Sequence, residues 1–99
     1  MMSEKQVEQK LREGIKKLGG IAYKFTSPGN VGVPDRIIIL PGGEIYFIEV
    51  KTEIGKLSKL QRSQLKKITQ LGAKAFTLYG IDDVNGFLRD CAAEEPHEI

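Results

Sequence analysis

Three charged residues, Asp35, Glu49 and Lys51, have the types and the spacing to act together. They bracket two β-type runs, Arg36 to Leu40 and Glu44 to Lys51, separated by Pro41-Gly42-Gly43. Both runs are β-branched or aromatic at most positions. A three-residue hairpin loop is usually a type I turn followed by a left-handed residue, with Pro41 suited to the first corner and Gly43 to the left-handed position. With residues 41 to 43 as the loop, Leu40 pairs with Glu44 and Asp35 falls opposite Glu49. Directly opposed residues have β-carbons roughly 4.5–5.5 Å apart on one face. Lys51 lies two residues past Glu49 and shares that face, while Ile48 and Val50 take the other. Facing carboxylates repel unless a cation lies between them, and two carboxylate oxygens completed by water suit Mg²⁺. The pattern predicts a metal site at one end of a hairpin, with a lysine beside it. Surface pairing with Lys51 and Arg36 is the ordinary alternative. Against it, Ile37-Ile38-Ile39 and the run from Ile45 to Ile48 are too apolar for a strand with a wet face, and predict strands covered on both sides.

These residues also carry a family resemblance. Pro34-Asp35, then Glu49-Val50-Lys51 after a hydrophobic strand, resembles the PD-(D/E)xK nuclease signature. More narrowly, Gly32-Val33-Pro34-Asp35-Arg36, Phe47-Ile48-Glu49-Val50-Lys51, Leu57-Ser58-Lys59-Leu60-Gln61 and Leu71-Gly72-Ala73 together resemble the virus-type replication-repair nuclease (VRR-Nuc) domain in its stand-alone form. The resemblance implies a restriction-endonuclease-like core and Mg²⁺-dependent hydrolysis of DNA phosphodiesters, with Mn²⁺ able to substitute. It implies that Asp35, Glu49 and the carbonyl of Val50 hold the metal, and that a glutamate of the first helix reaches it directly or through water. Glu8 matches that glutamate better than Glu4. It further implies that Lys51 orients or deprotonates the attacking water or steadies the phosphate, and that Gln61 lies near the catalytic centre. Stand-alone members resemble Holliday-junction resolvases, so branched DNA, a four-way junction above all, and a homodimer making paired cuts are the implied partners. A flap or nicking nuclease is the alternative within enzymes. A catalytically inactive DNA-binding domain is the alternative outside them, and the intact Asp35, Glu49 and Lys51 set argues against it.

The elements that must position these residues are legible along the chain. Its 99 residues make one domain, with a core expected over 4–90 and an acidic tail over 91–99. With 28% charged and 40% hydrophobic residues it reads as an ordinary soluble globular protein. A net charge of +2 is too small to argue for nucleic acid, so local clustering must make that case. The single cysteine, Cys91, excludes an internal disulfide framework. No apolar run reaches the roughly 20 residues of a membrane span, and the expected location is cytoplasmic.

Ser3 is the expected N-cap of a helix carrying Val7, Leu11, Ile15 and Leu18 at helical spacing, stopped by Gly19-Gly20. Glu4 and Glu8 fall on or beside its apolar stripe. Ile21 to Thr26 reads as a strand and Ser27 to Gly32 as a loop, where backbone N–H groups and Asn30 could contact phosphates. After Lys51, Ser58 and Gln61 form a capping box opening a helix to Leu71, with Leu60, Leu65, Ile68 and Leu71 as its apolar stripe. The box alone would explain Gln61, but a helix N-terminus facing the site would serve both roles.

Lys56, Lys59, Arg62, Lys66 and Lys67 make this segment basic. Such a run is by default a solvated face; beside an acidic metal site it is also what a DNA backbone needs, and Asn30, Lys56, Lys59 and Arg62 are the candidate DNA contacts. Ala75 to Tyr79 reads as a strand reached by a right-handed crossover, hence parallel to the run ending at Lys51. Asp82 or Asp83 would cap a short helix holding Val84, Phe87 and Leu88, and His97 in the tail is given no role. The resulting order is α-β-β-β-α-β-α, an α/β (α+β) fold with a mixed four-stranded sheet flanked by helices. Tyr46, Ile48, Val50, Phe87 and Leu88 exceed what so small a core should need, and are the expected dimer contact; the alternative is that they simply pack under the two helices.

Overall fold

The computed structural model describes residues 1–93. The elements run α1 (Glu4–Lys17), β1 (Ile21–Lys24), β2 (Arg36–Ile39), β3 (Ile45–Lys51), α2 (Lys59–Gln70), β4 (Lys74–Tyr79) and α3 (Gly80–Ala93), the order read from the sequence. The sheet is ordered β1-β2-β3-β4, with the first two pairings antiparallel and β3–β4 parallel. The β2–β3 register sets Arg36 opposite Ile48 and Ile39 opposite Ile45. Leu40 N donates to Glu44 O at 2.9 Å, so the hairpin closes where the Pro-Gly-Gly signal placed it.

The turn type differs from the expectation. Gly43 N donates to Leu40 O at 3.1 Å and Gly42 has φ +90°, which puts a positive φ at the second corner. That is the type II arrangement, favoured by Pro followed by Gly, rather than type I. β1 also ends at Lys24 rather than Thr26, although Phe25 N still donates to Asp35 O at 2.8 Å.

One face of the sheet is closed by α1 and α3. Val7, Leu11 and Ile15 from α1 and Val84, Phe87 and Cys91 from α3 meet Ile38, Leu40, Tyr46, Ile48, Val50 and Leu78 in a single core. Each large aliphatic side chain fully buried there contributes about 1.5–3 kcal/mol. Tyr46, Phe76 and Phe87 pack edge to face, with Tyr46 and Phe87 centroids 5.1 Å apart. Both predicted caps form: Ser3 closes a capping box with Gln6, and Ser58 with Gln61.

The structure departs from four expectations. The last helix is not short: α3 is 14 residues long and starts at Gly80, with Asp83 Oδ2 reaching back to accept from Tyr79 N at 2.8 Å. It carries Cys91 into the core, so residues 91–93 are helix rather than tail; residues 94–98 of the acidic stretch, and His97 with them, lie outside the described residues. Tyr46, Ile48 and Val50 are buried beneath α1 and α3, Phe87 of α3 is buried among them, and Leu88 packs against the same core, so they are not available as a dimer contact. The opposite face of the sheet, over which α2 lies, is only partly covered. Ile37, Ile39 and Phe47 are half-buried, Ile45 is exposed, and α2 itself buries no residue, with Leu60 and Leu71 open to solvent.

Candidate active site

The candidate site forms at the end of the hairpin away from its turn. Continuing the β2–β3 register by one step brings Asp35 opposite Glu49. Pro34, fully buried, anchors the chain immediately before Asp35. Glu49 points to the face opposite the main core, yet it is only 4% exposed and is the one buried charged residue among the described ones. A carboxylate so placed is costly unless it is partnered.

Two donors attend Glu49. Lys51 Nζ stands 4.0 Å from Glu49 Oε2, and Gln61 Nε2 stands 3.4 Å from the same oxygen. The Gln61 side chain thus does two things at once. Its oxygen accepts from Ser58 N at 2.8 Å in the capping box, and its amide nitrogen faces the carboxylate. The N-terminus of α2 is therefore a wall of the site.

α1 brings Glu8 and Glu4 within electrostatic reach of Asp35. Glu8 acts on Asp35 by hydrogen bonding and charge, Glu4 by charge alone, and both raise its pKa. Arg36 Nη2 lies 3.4 Å from Glu8 Oε2, tying β2 to α1. From the sequence Arg36 entered only through the alternative of ordinary surface pairing. The signal available was alternation, which turns Arg36 to the sheet face opposite Asp35 and hence toward α1.

The electrostatics are those of crowded acids. Burial first, then the hydrogen bond and charge of Glu8, lift Asp35 from 3.8 to about 7 despite Arg36. Glu49 rises from 4.5 to about 7 through burial and the charge of Asp35, with Lys51 pulling the other way. Asp35 Oδ1 is buried without a hydrogen-bond partner. An orphaned carboxylate oxygen facing a second carboxylate across a strand pair is a place where a cation fits. Among the described residues, no three Asp, Glu, His or Cys side chains close a metal cage by themselves. The donor set is therefore open, of the kind Mg²⁺ accepts when water and phosphate complete its shell. The Val50 side chain is fully buried on the core face, which leaves its main-chain carbonyl as the part that could join Asp35 and Glu49.

The surrounding contacts are placed less uniformly. Lys56, Lys59 and Arg62 are exposed in and just before the first turn of α2, as are Lys66 and Lys67 further along it. Asn30 is exposed, but its amide nitrogen donates to Ser27 Oγ at 2.8 Å and its backbone N–H to Ser27 O at 3.0 Å. Asn30 thus closes a turn, which leaves one amide hydrogen for any phosphate. No helix among the described residues is long and apolar enough to cross a membrane.

Comparison with known proteins falls on this same architecture. Residues 2–82 match the VRR-NUC domain family. Over 78 residues the chain is 40% identical to "Putative nuclease p44" of Acyrthosiphon pisum secondary endosymbiont phage 1, spanning 79% of this chain and 84% of that protein. A solved VRR-NUC domain superposes with a TM-score of 0.84 at 30% identity, over 90% of this chain and 97% of that one. A solved VRR-NUC domain protein superposes with a TM-score of 0.68 over 94% of this chain and 90% of that one; at 19% identity it speaks to the fold alone.

Proposed function

The chain belongs to the VRR-NUC domain family, and we propose that it is a Mg²⁺-dependent DNA endonuclease acting on branched DNA, four-way junctions foremost. The observation that carries this reading is the pairing of Asp35 with Glu49 at one hairpin end, with Lys51 Nζ 4.0 Å from Glu49 and Asp35 Oδ1 buried and unpartnered. Asp35, Glu49 and the Val50 carbonyl would hold the cation, with Mn²⁺ as a substitute. When bound, the metal supplies a Lewis acid for the scissile phosphate and lowers the pKa of water.

The chain's own residues divide the remaining work. Gln61 fixes the orientation of Glu49 by donating to Oε2. Glu8, held by Arg36, keeps Asp35 turned into the site and adds negative charge that favours a cation. Lys51 orients or deprotonates the attacking water, or steadies charge building on the phosphate. Exposed Lys56, Lys59 and Arg62 flank the acidic centre and would carry the DNA backbone past it.

A four-way junction has two strands to cut, so this reading takes two copies related by a two-fold axis. With the earlier apolar candidates in the core, the contact falls to exposed side chains such as Ile21 and Tyr23 on β1 or Ile45 and Leu71 across the open sheet face. Sedimentation equilibrium tests this part alone: a chain that stays monomeric while cutting junctions in pairs would remove the dimer.

The deciding assay is incubation with four-way junction, flap, nicked and linear DNA in Mg²⁺, Mn²⁺ or EDTA. Cleavage of junctions in either metal and none in EDTA is expected. Preference for flaps or nicks would move the substrate class, and binding without cleavage in any metal would make this an inactive DNA-binding domain.

A further inference from the structure

Gly32 lies in the loop between β1 and β2, at φ +90°, pressed against the first turn of α2. A β-carbon there would stand 2.7 Å from the Leu60 carbonyl carbon, 2.8 Å from its oxygen and 2.9 Å from Gln61 N. All three are backbone atoms, which cannot swing aside as a side-chain tip can. Along the same seam Gln64 Nε2 approaches Val31 O at 3.5 Å. The loop therefore bears on the very turn that carries Gln61. Of the two partners, α2 is the one free to yield: it buries no residue, whereas the loop is anchored by fully buried Pro34. The Gln61–Glu49 contact, at 3.4 Å, is already near the outer limit of a hydrogen bond. A retreat of a few tenths of an ångström would part them.

We propose that Gly32 is a positioning residue: its missing side chain lets the loop leading to Asp35 seat directly on α2, and this seat holds Gln61 on Glu49. One loop thereby fixes two walls of the site, Asp35 on one side and Gln61 on the other. The consequence for cleavage rests on the nuclease reading above; the consequence for Gln61 rests on the packing alone.

Gly29 supplies the control. It lies in the same loop at φ +82°, with nothing within 4 Å of a β-carbon, so Gly29→Ala carries the backbone strain without the collision. The side-chain amide signal of Gln61 is read by NMR, assigned by its loss in Gln61→Ala. Gly32→Ala should move that signal to the position of a solvated glutamine amide, and Gly29→Ala should leave it in place. On junction DNA with Mg²⁺, Gly32→Ala should lower kcat about tenfold to a hundredfold with little change in KM. The Gly32→Ala/Gln61→Ala double variant should be no slower than Gln61→Ala alone.

An unmoved amide signal in folded Gly32→Ala, or additive losses in the double variant, would overturn the proposal. A wild-type chain that cuts none of the DNAs would overturn the nuclease reading instead, while the amide signal still decides Gly32. Should Gly32→Ala fail to fold, Gln64→Ala loosens the same seam without adding an atom. The Gln61 signal should then shift in the same direction, and its failure to do so overturns the proposal equally.

Discussion

Arg36 Nη2 lies 3.4 Å from Glu8 Oε2, joining the first strand of the β2–β3 hairpin to the first helix across 28 residues of sequence. Both side chains are largely shielded, at 12% and 20% exposure. The pair brings a permanent cation beside Glu8 and Asp35, where it partly offsets the repulsion between the two carboxyls. Removing the cation leaves that repulsion in place, so Arg36→Gln should destabilise the fold by about 1–3 kcal/mol, the range for a charged hydrogen bond in partial shelter. Glu8→Gln in the same background should recover part of the loss. Urea unfolding of the two single variants and the double gives the coupling directly, and strictly additive losses would mean the pair does not matter.

Substitution of either central carboxylate should separate chemistry from binding. Asp35→Asn and Glu49→Gln each remove a donor that a cation would need, so cleavage should fall about 10²-fold or more. DNA binding should hold or tighten slightly, because a negative charge beside phosphate is gone. Lys51→Ala should lose cleavage and keep metal binding, read by Mn²⁺ titration. Rates near wild type for either carboxylate variant would end the proposed mechanism.

Which of these relationships the sequence discloses follows from the range of the forces involved. The Asp35–Glu49 apposition is legible because one Pro-Gly-Gly turn fixes the register, and a one-residue slip would reverse every side chain. The cap at Ser58 is legible because Ser and Gln at that spacing satisfy backbone groups locally. The fate of Tyr46, Ile48 and Val50 is not, since it depends on how much helix lies above them. α3 reads short from sequence because it begins at Gly80, ahead of the acidic residues that looked like its cap. In the fold the longer helix carries Cys91 as well as Phe87 over the sheet. The half-open face under α2 escapes notice for the opposite reason. Leu60 and Leu71 have helical spacing yet stay exposed, and periodicity records spacing only.

The raised carboxyls fix how metal-free stability depends on pH. Asp35 and Glu49 bind protons more tightly folded, at about 7, than at their ordinary values of 3.8 and 4.5. Their contribution is therefore fully present below the ordinary carboxylate range and is lost as pH rises through about 7. In EDTA the urea midpoint should fall between about pH 5 and pH 8, and Asp35→Asn should flatten that fall. Mg²⁺ should raise the midpoint more at the higher pH, where both carboxyls are charged. Parallel profiles for wild type and Asp35→Asn would contradict the assignment.

The basic flank should act on affinity and leave the chemistry alone. Lys59 and Arg62 sit exposed in the first turn of α2 and Lys56 just before it, all close in sequence to Gln61. None of the three forms an ion pair among the described residues, so each is open to a phosphate. A cation that neutralises one phosphate releases counterions on binding, and losing it lowers the salt dependence of log K by about one unit of slope. Lys59→Ala and Arg62→Ala should each weaken binding to linear and branched DNA by a similar factor and flatten the salt plot. The single-turnover rate at saturating DNA should change little. Lys66→Ala and Lys67→Ala, further along the helix from Gln61, should do less. A variant with an unchanged salt slope would place its side chain off the DNA path, and loss of affinity for branched DNA alone would mean that α2 reads the branch point itself.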